Sequence, residues 1–477
     1  MKPEHSSKLT TKLPANIITT AVPITPEVPV TVTPPDWNNR KLFTLFWPLI
    51  VEQLLIVSMG FVDMIMVSSV GEHAISGVSL VDHVNFLFIT AFNALATGGA
   101  VVASQYIGRK DGKNARCSAC QLVYISVFIS FVLMALTMAL CGPVLRLIYG
   151  NIAEDVMQAA QTYFFVRAIS YPFLALYTSA AALFRSMGDS KNPMRVTILA
   201  NIINIAGNAL FIYGFKWGVA GAALATVIGR AISAIILLFL LLKNDDKIIH
   251  LKGILKVKLE TVMIKRILNI GIPSGLETAM FHVGKILVTR IFTAFGTAAI
   301  AANAVASTIN SLAFMPGSGY GMGLLVVAGQ CIGAQDYAGA RRYTKKIMLM
   351  AYVTYLIVNI NIFIFMNPIM GIFNLSDDSI NFCRTFLQIH LITSTLFWCT
   401  SFVLPNSLKA AGDARYVMVV TAVSMWLIRV CSAYIMAFPL GLGPIAVSLA
   451  MGADFIFRGI FFTLRWISGK WMDKRVI

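Results

Sequence analysis

Twelve mostly apolar stretches, each more than 20 residues long, follow one another along the chain: 42–70, 76–107, 117–141, 159–184, 194–214, 218–243, 264–293, 298–332, 347–373, 380–408, 416–438 and 443–466. About 20 such residues span a bilayer, and more do so with a tilt. In lipid a backbone satisfies its own polar groups only as helices or closed barrels, and segments of this length are helices. The expected fold class is therefore all-α integral membrane, with twelve transmembrane helices. Only 12% of residues are charged and the mean hydropathy is +0.77, where a soluble protein keeps roughly a quarter charged.

A net charge of +17 raises the question of a nucleic-acid partner. The charges gather in short segments between apolar runs, the pattern of a membrane face rather than of a groove for nucleic acid, so no such partner is expected. With both termini cytoplasmic, the inner loops collect Arg109, Lys110, Lys113, Arg116, Arg185, Lys191, Arg195, Arg341, Arg342, Lys345, Lys346, Lys409 and Arg415. The outer loops hold little beyond Arg146, Lys216 and Arg384. The positive-inside rule thus gives this orientation, and a multi-pass protein of the plasma membrane is expected. The seven cysteines are odd in number and scattered through apolar segments, which is no disulfide framework.

The second half of the chain repeats the first at an offset of 225 residues. Gly98, Val101, Val102, Ala103, Gln105, Ile107, Gly108, Asp111, Ala115 and Arg116 are matched by Gly323, Val326, Val327, Ala328, Gln330, Ile332, Gly333, Asp336, Ala340 and Arg341. Pro48 and Glu52 correspond to Pro273 and Glu277, and Gly188-Asp189 to Gly412-Asp413, shifted by one. Six helices per half is an even number, so both halves enter the membrane from the same side. The repeat is parallel, and a substrate path is expected between the halves. The expected organisation is a disordered tail over 1–36 rich in Pro, Thr and Val, an N-lobe over 37–243, a linker over 244–262, a C-lobe over 263–466 and a tail over 467–477.

Ionisable groups at membrane depth mark pathways or internal ion pairs. Asp63 lies about seven residues, or roughly 10 Å, from the outer end of its segment. Asn201, Asn204 and Asn208 follow i, i+3, i+7 spacing and form one polar stripe. Asn208 and Thr226 fall at the depth of Asp63. A carboxylate facing amide and hydroxyl oxygens suits a proton or a small hard cation such as Na⁺, while a hydrogen-bonded knot that only joins helices is the structural alternative. Glu52 and Glu277 each follow a proline by four residues, where the helix is expected to bend. Each is a candidate proton or cation carrier, or a carboxylate neutralised by an embedded base; Lys285 is the base suggested for Glu277. Asp454 and Arg458, at i, i+4, are expected to pair. Arg167 and Arg290 are expected to snorkel. Arg230, Lys285 and Arg429 lie deeper, where they attract an anionic substrate or neutralise the acids. The run Phe314-Met-Pro-Gly-Ser-Gly-Tyr-Gly-Met-Gly323 reads as a Gly/Pro interruption facing a cavity, or as a packing run of glycines. Phe314, Met315 and Tyr320 with Lys285 and Arg230 are the candidate substrate-cavity residues.

Several stretches together resemble the multidrug and toxic compound extrusion (MATE) family. They are Gly60-Phe-Val-Asp63, Gln105-Tyr-Ile-Gly108-Arg-Lys-Asp111, Tyr171-Pro172-Phe, Leu183-Phe-Arg-Ser-Met-Gly188-Asp189-Ser-Lys-Asn-Pro193, Gly218-Val-Ala-Gly221-Ala-Ala-Leu-Ala-Thr226, Gly271-Ile-Pro273 with Glu277, and Gly329-Gln330-Cys-Ile-Gly333-Ala. The resemblance covers residues 37 to about 466. It implies export driven by a Na⁺ or H⁺ gradient, with the substrate in a cavity between two lobes. The family's ion-coupling residues carry over to Asp63, Asn204, Thr226 and Glu277. Asn208 stands where some members have an aspartate, and Trp398 falls near where others have an aspartate in the tenth helix. Glu277 is then the one acid of the second half's expected cation site.

The resemblance implies an antiporter of organic, cationic or amphipathic compounds, acting as a monomer with the bilayer as its surroundings and no cofactor beyond the coupling ion. A flippase for lipid-linked sugars, or an exporter of an anionic metabolite, is the transport alternative that Arg230, Lys285 and Arg429 keep open. No HExxH, catalytic aspartate pair or Ser/His arrangement points to an enzyme.

Overall fold

A computed structural model describes residues 36–477 apart from 151–152, 244–247, 255–256 and 374. The expected disordered tail falls almost wholly outside the described residues, as does part of the linker. The twelve apolar stretches form twelve helices. They are α1 (Asn39–Ser68), α2 (Glu72–Gly108), α3 (Gly112–Tyr149), α4 (Glu154–Ala168 and Tyr171–Ser186), α5 (Lys191–Gly214) and α6 (Gly218–Lys243). The second set is α7 (Thr261–Thr293), α8 (Thr297–Gly333), α9 (Tyr337–Ile364 and Met366–Gly371), α10 (Asp377–Ala410), α11 (Ala414–Ala437) and α12 (Ile445–Ile467).

Ten of these are long and apolar enough to cross a membrane by length and composition alone. The other two, α4 and α7, have local reasons to fall short. Helix α4 is broken at Ile169 and Ser170, just ahead of Pro172, where the missing N–H would interrupt the ladder. Helix α7 carries Asn269, Ser274, Glu277, Thr278 and His282 in mid-span.

The repeat reaches down to single backbone angles. Lys110 and Gln335, 225 positions apart, both take positive φ (60° and 61°) at the ends of α2 and α8. The next residue in each turn, Asp111 or Asp336, then caps the following helix, accepting from Asn114 N at 3.0 Å or Gly339 N at 2.7 Å. These turns, with the start of α1, define what we call the basic end of the bundle.

Helix α8 is continuous through Pro316, so of the two readings of its Gly/Pro run the packing one holds. Its glycines serve close packing instead. A Cβ at Gly317 would stand 1.9 Å from the Trp398 ring, one at Gly319 3.1 Å from Ile50, and one at Gly323 2.2 Å from the Phe46 ring. Helices α1 and α7 likewise run unbroken through Pro48 and Pro273. The described part of the linker lies along α3: Tyr124 Oη donates to the Val257 carbonyl at 3.3 Å and Gln121 Nε2 to the Lys258 carbonyl at 2.8 Å.

Candidate functional site

The polar stripe of α5 faces α1 on one side and α6 on the other. Asn208 Nδ2 donates to Asp63 Oδ1 at 2.6 Å and to Asn204 Oδ1 at 3.0 Å. Asn204 Nδ2 donates in turn to Thr226 Oγ1 at 3.2 Å, whose hydroxyl donates to the Ala222 carbonyl at 3.2 Å. Asn201 Nδ2 adds a bond to the Leu55 carbonyl at 3.0 Å. Asp63, Asn208, Asn204 and Thr226 are thus one hydrogen-bonded line across three helices. Asp63 reaches Thr226 only through the two amides. The Asn208 side chain is fully buried, its Oδ1 has no partner among the described residues, and Asp63 is half-buried. A π-helical turn, Ala209–Gly214, begins directly after Asn208; such turns are frequent at functional sites.

Two arginines stand behind this line. Arg230 Nη1 donates to Ser170 Oγ at 2.8 Å. Arg167 does not snorkel: it is buried, donates to Tyr163 Oη, and lies 3.9 Å from Asp82. These partners hold the guanidinium inside, whereas Arg290 is exposed. The Asp82 side chain is half open to solvent.

The two proline-linked glutamates are both ion-paired. Arg185 Nη2 lies 2.6 Å from Glu52 Oε1, which also accepts from Tyr177 Oη at 3.1 Å. Lys409 Nζ lies 2.6 Å from Glu277 Oε2. Arg185 and Lys409 occupy repeat-related positions, 224 residues apart, so the two pairs are images of one another. Lys285, the suggested partner of Glu277, is instead exposed on α7. Both bases were assigned to inner loops by charge counting; at the last turn of α4 and of α10 their long stems reach back to a carboxylate in the bundle.

Beside each base the halves are joined. Gln330 Nε2 of α8 donates to the Ser186 carbonyl at 2.8 Å, and Gln105 Nε2 of α2 donates to the Ala410 carbonyl at 2.7 Å. Between them α2 and α8 touch backbone to backbone. A Cβ on Gly108 would lie 1.9 Å from the Gln330 oxygen, and one on Gly333 1.9 Å from the Gln105 oxygen. Trp37 N donating to Tyr343 Oη at 3.2 Å, and Arg266 bonded to Tyr106 Oη, add to the same seal at the basic end. Gln105 and Gln330 are visible in the repeat, but nothing in the sequence tells a sealing amide from any other matched residue.

The candidate cavity residues do not form one group. Met315 and Tyr320 are buried in the second half, Tyr320 against Phe46 at 5.0 Å between ring centroids and bonded to Thr354 at 2.9 Å. Phe314 stacks on Trp398 at 5.0 Å and lies edge-on to His390 at 5.3 Å. Arg230 belongs to the first half's interior and Lys285 to the exposed face of α7. Arg429, expected to meet one of the other acids, lies 3.6 Å from Asp454, which Arg458 also binds at 2.9 Å as the i, i+4 spacing predicts.

Comparison with known proteins finds the same repeat and fold. The MatE family model matches the chain twice, over residues 48–210 and 273–435, with starts separated by the repeat offset. The "Uncharacterized transporter YisQ" of Bacillus subtilis is 29% identical over 92% of this chain and 96% of its own length. The "Probable multidrug resistance protein NorM" of Thermotoga maritima is 27% identical over 92% and 94%. Among solved structures, a MATE protein in complex with MaL6 superposes with a TM-score of 0.84 at 18% identity, over 90% of this chain and 96% of that one. A MOP superfamily transporter from Pyrococcus furiosus superposes with a TM-score of 0.83 at 19% identity, over 91% and 97%. With twelve membrane helices in two repeated halves, the chain belongs to the MatE family of multidrug efflux transporters.

Proposed function

We propose that this protein is a secondary active exporter that exchanges Na⁺ or H⁺ for organic, cationic or amphipathic compounds by alternating access. It would act in the plasma membrane as a monomer with both termini cytoplasmic, its N-lobe over 37–243 and C-lobe over 263–466 joined by the linker 244–262. The observation that carries this reading is the line from Asp63 through Asn208 and Asn204 to Thr226. Asp63 is held by an amide, whereas Glu52 and Glu277 are held by bases. A carboxylate at membrane depth with no base in direct contact can exchange a proton or a cation. The side chains of Asn208, Asn204 and Thr226 carry oxygens that could turn toward a hard cation if the amides release their present bonds.

The seal supports alternating access. It joins the halves at the basic end, an end at which an exporter of this kind must open and close. Glu277 has a second role in this reading. Lys409 precedes Ala410, whose carbonyl receives Gln105. A proton or cation arriving at Glu277 would release Lys409 and loosen that turn of α10. Such release links ion entry to opening of the basic end. Export of a fluorescent organic cation from inverted vesicles, under separately imposed pH and Na⁺ gradients, tests the exchange; a rate unaffected by both gradients would exclude it.

A further inference from the structure

The two halves differ most where their repeat would place a second cation site. Asp63 corresponds to Val288, and Asn204 corresponds to Arg429. The acid and amide of the first half are thus replaced by an apolar residue and a guanidinium. Around Arg429 the second half has built a different cluster. Asp454, fully buried, is the single carboxylate there among the described residues, facing Arg458 at 2.9 Å and Arg429 at 3.6 Å and receiving the Ser424 hydroxyl. Both arginines are themselves almost wholly buried.

An arginine does not lose its proton in a protein, so this cluster holds one more positive than negative charge. Burying such a charge uncompensated is costly. Phe281 and Phe402 absorb part of the cost by cation–π contact, with the Arg458 guanidinium 5.0 and 5.4 Å from their centroids and that of Arg429 5.7 Å from Phe281. Polar atoms nevertheless remain unused: among the described residues Arg429 Nε, Arg458 Nη2 and both ring nitrogens of His390 have no hydrogen-bond partner, and of the Asp454 carboxylate only Oδ2, 3.6 Å from Arg429, is left as an acceptor. His390 is 1% exposed and joins the same aromatic wall through Phe455, at 5.9 Å. Unpartnered buried donors of this kind call for an acceptor. The backbone is irregular here as well, because Arg429 lies within the π-helical segment Ser424–Cys431 of α11 and the wall includes the π-helical turn Cys399–Val403 of α10.

We propose that the second half contains an anion site, in which Arg429, Arg458 and His390 together take one small monovalent anion, a halide ion or a carboxylate group. The first half would then hold a cation and the second an anion, at places related by the repeat.

The test uses the purified full-length protein in detergent and reads thermal unfolding, so it needs no transport and fails or succeeds apart from the antiport reading. Sodium chloride and sodium acetate are titrated separately at constant sodium and ionic strength, balanced with the bulky sulfonate MES. Binding to the folded state raises Tm saturably. A rise with chloride alone assigns an inorganic ion; a rise with acetate alone assigns a carboxylate such as an organic molecule would bring; a rise with both assigns the shared chemistry. His390→Phe keeps the ring and removes both nitrogens, and is expected to weaken the response at least tenfold. Asp454→Asn adds one net positive charge and is expected to tighten it about tenfold, a gain that a purely structural cluster would not give. Absence of any saturable rise in the wild-type protein, or an unchanged response in both variants, would overturn the site. Arg429→Gln is the more direct variant; should it fail to fold, His390→Phe decides.

Discussion

Glu52 and Arg185 form a 2.6 Å ion pair inside the first half, and the repeat reproduces it in the second as Glu277 with Lys409, also at 2.6 Å. The carboxylate of Glu52 is fully buried, with Tyr177 as a further donor. Removing one member of such a pair leaves the other charge stranded, which costs about 3–5 kcal/mol. Glu52→Gln and Arg185→Met should therefore each lower thermal stability markedly, and the double variant should lose much less than their sum. Calorimetric or fluorescence melting of the four proteins measures this coupling; additive losses would mean the pair is not a unit.

The second pair carries a functional expectation as well. Glu277→Gln removes the charge that holds Lys409, beside the carbonyl that receives Gln105. Export of a fluorescent cation should fall at least tenfold while the protein still reaches the membrane. Initial efflux rates normalised to protein in the membrane check this.

The seal at the basic end depends on two glycines. A methyl group at Gly108 would stand 1.9 Å from the Gln330 carbonyl oxygen, and backbone on both sides leaves no flexible atom to move. Gly108→Ala should force α2 and α8 apart and shift the population toward a state open at that end. Cys331, fully buried next to Gln330, reports it: its maleimide labelling, quantified by peptide mass spectrometry, should rise severalfold over wild type.

Much of this was legible in the sequence because the physics acting on it is local. The twelve helices follow from hydropathy, and the i, i+3, i+7 spacing of Asn201, Asn204 and Asn208 already placed them on one face. The repeat was legible through residues such as Gly108 and Gly333, which are fixed by a close backbone approach. Arg185 and Lys409 were assigned to loops because charge counting assigns every base near a helix end to the interface. What reveals them is the pairing of two offsets, Glu52 with Glu277 and Arg185 with Lys409. The π-helical turns of α5, α10 and α11 have no sequence signature. Nor has the pairing of Arg429 with Asp454 at 3.6 Å. The Gly/Pro run of α8 left a break and close packing both open, because nothing local shows that Trp398, Ile50, Asn406 and Phe46 fill the space beside its four glycines.

Trp398 anchors that packing. It stacks on Phe314 and Tyr355, each at 5.0 Å, and on Phe402 at 5.3 Å. Trp398→Ala should cost about 3–5 kcal/mol of stability, measured as a lowered melting temperature of the purified protein.

The central claim is that Asp63, held by Asn208 rather than by a base, is where the driving ion enters. Asp63→Asn preserves shape and removes only the exchangeable charge. The direct measurement is fluorescent-cation efflux in proteoliposomes, with a pH gradient and a Na⁺ gradient imposed in turn on wild type and variant. The account predicts that wild-type export follows at least one gradient and that Asp63→Asn, inserted at equal density, loses that dependence and at least nine-tenths of the rate. Gradient-driven export at the wild-type rate in Asp63→Asn would contradict it.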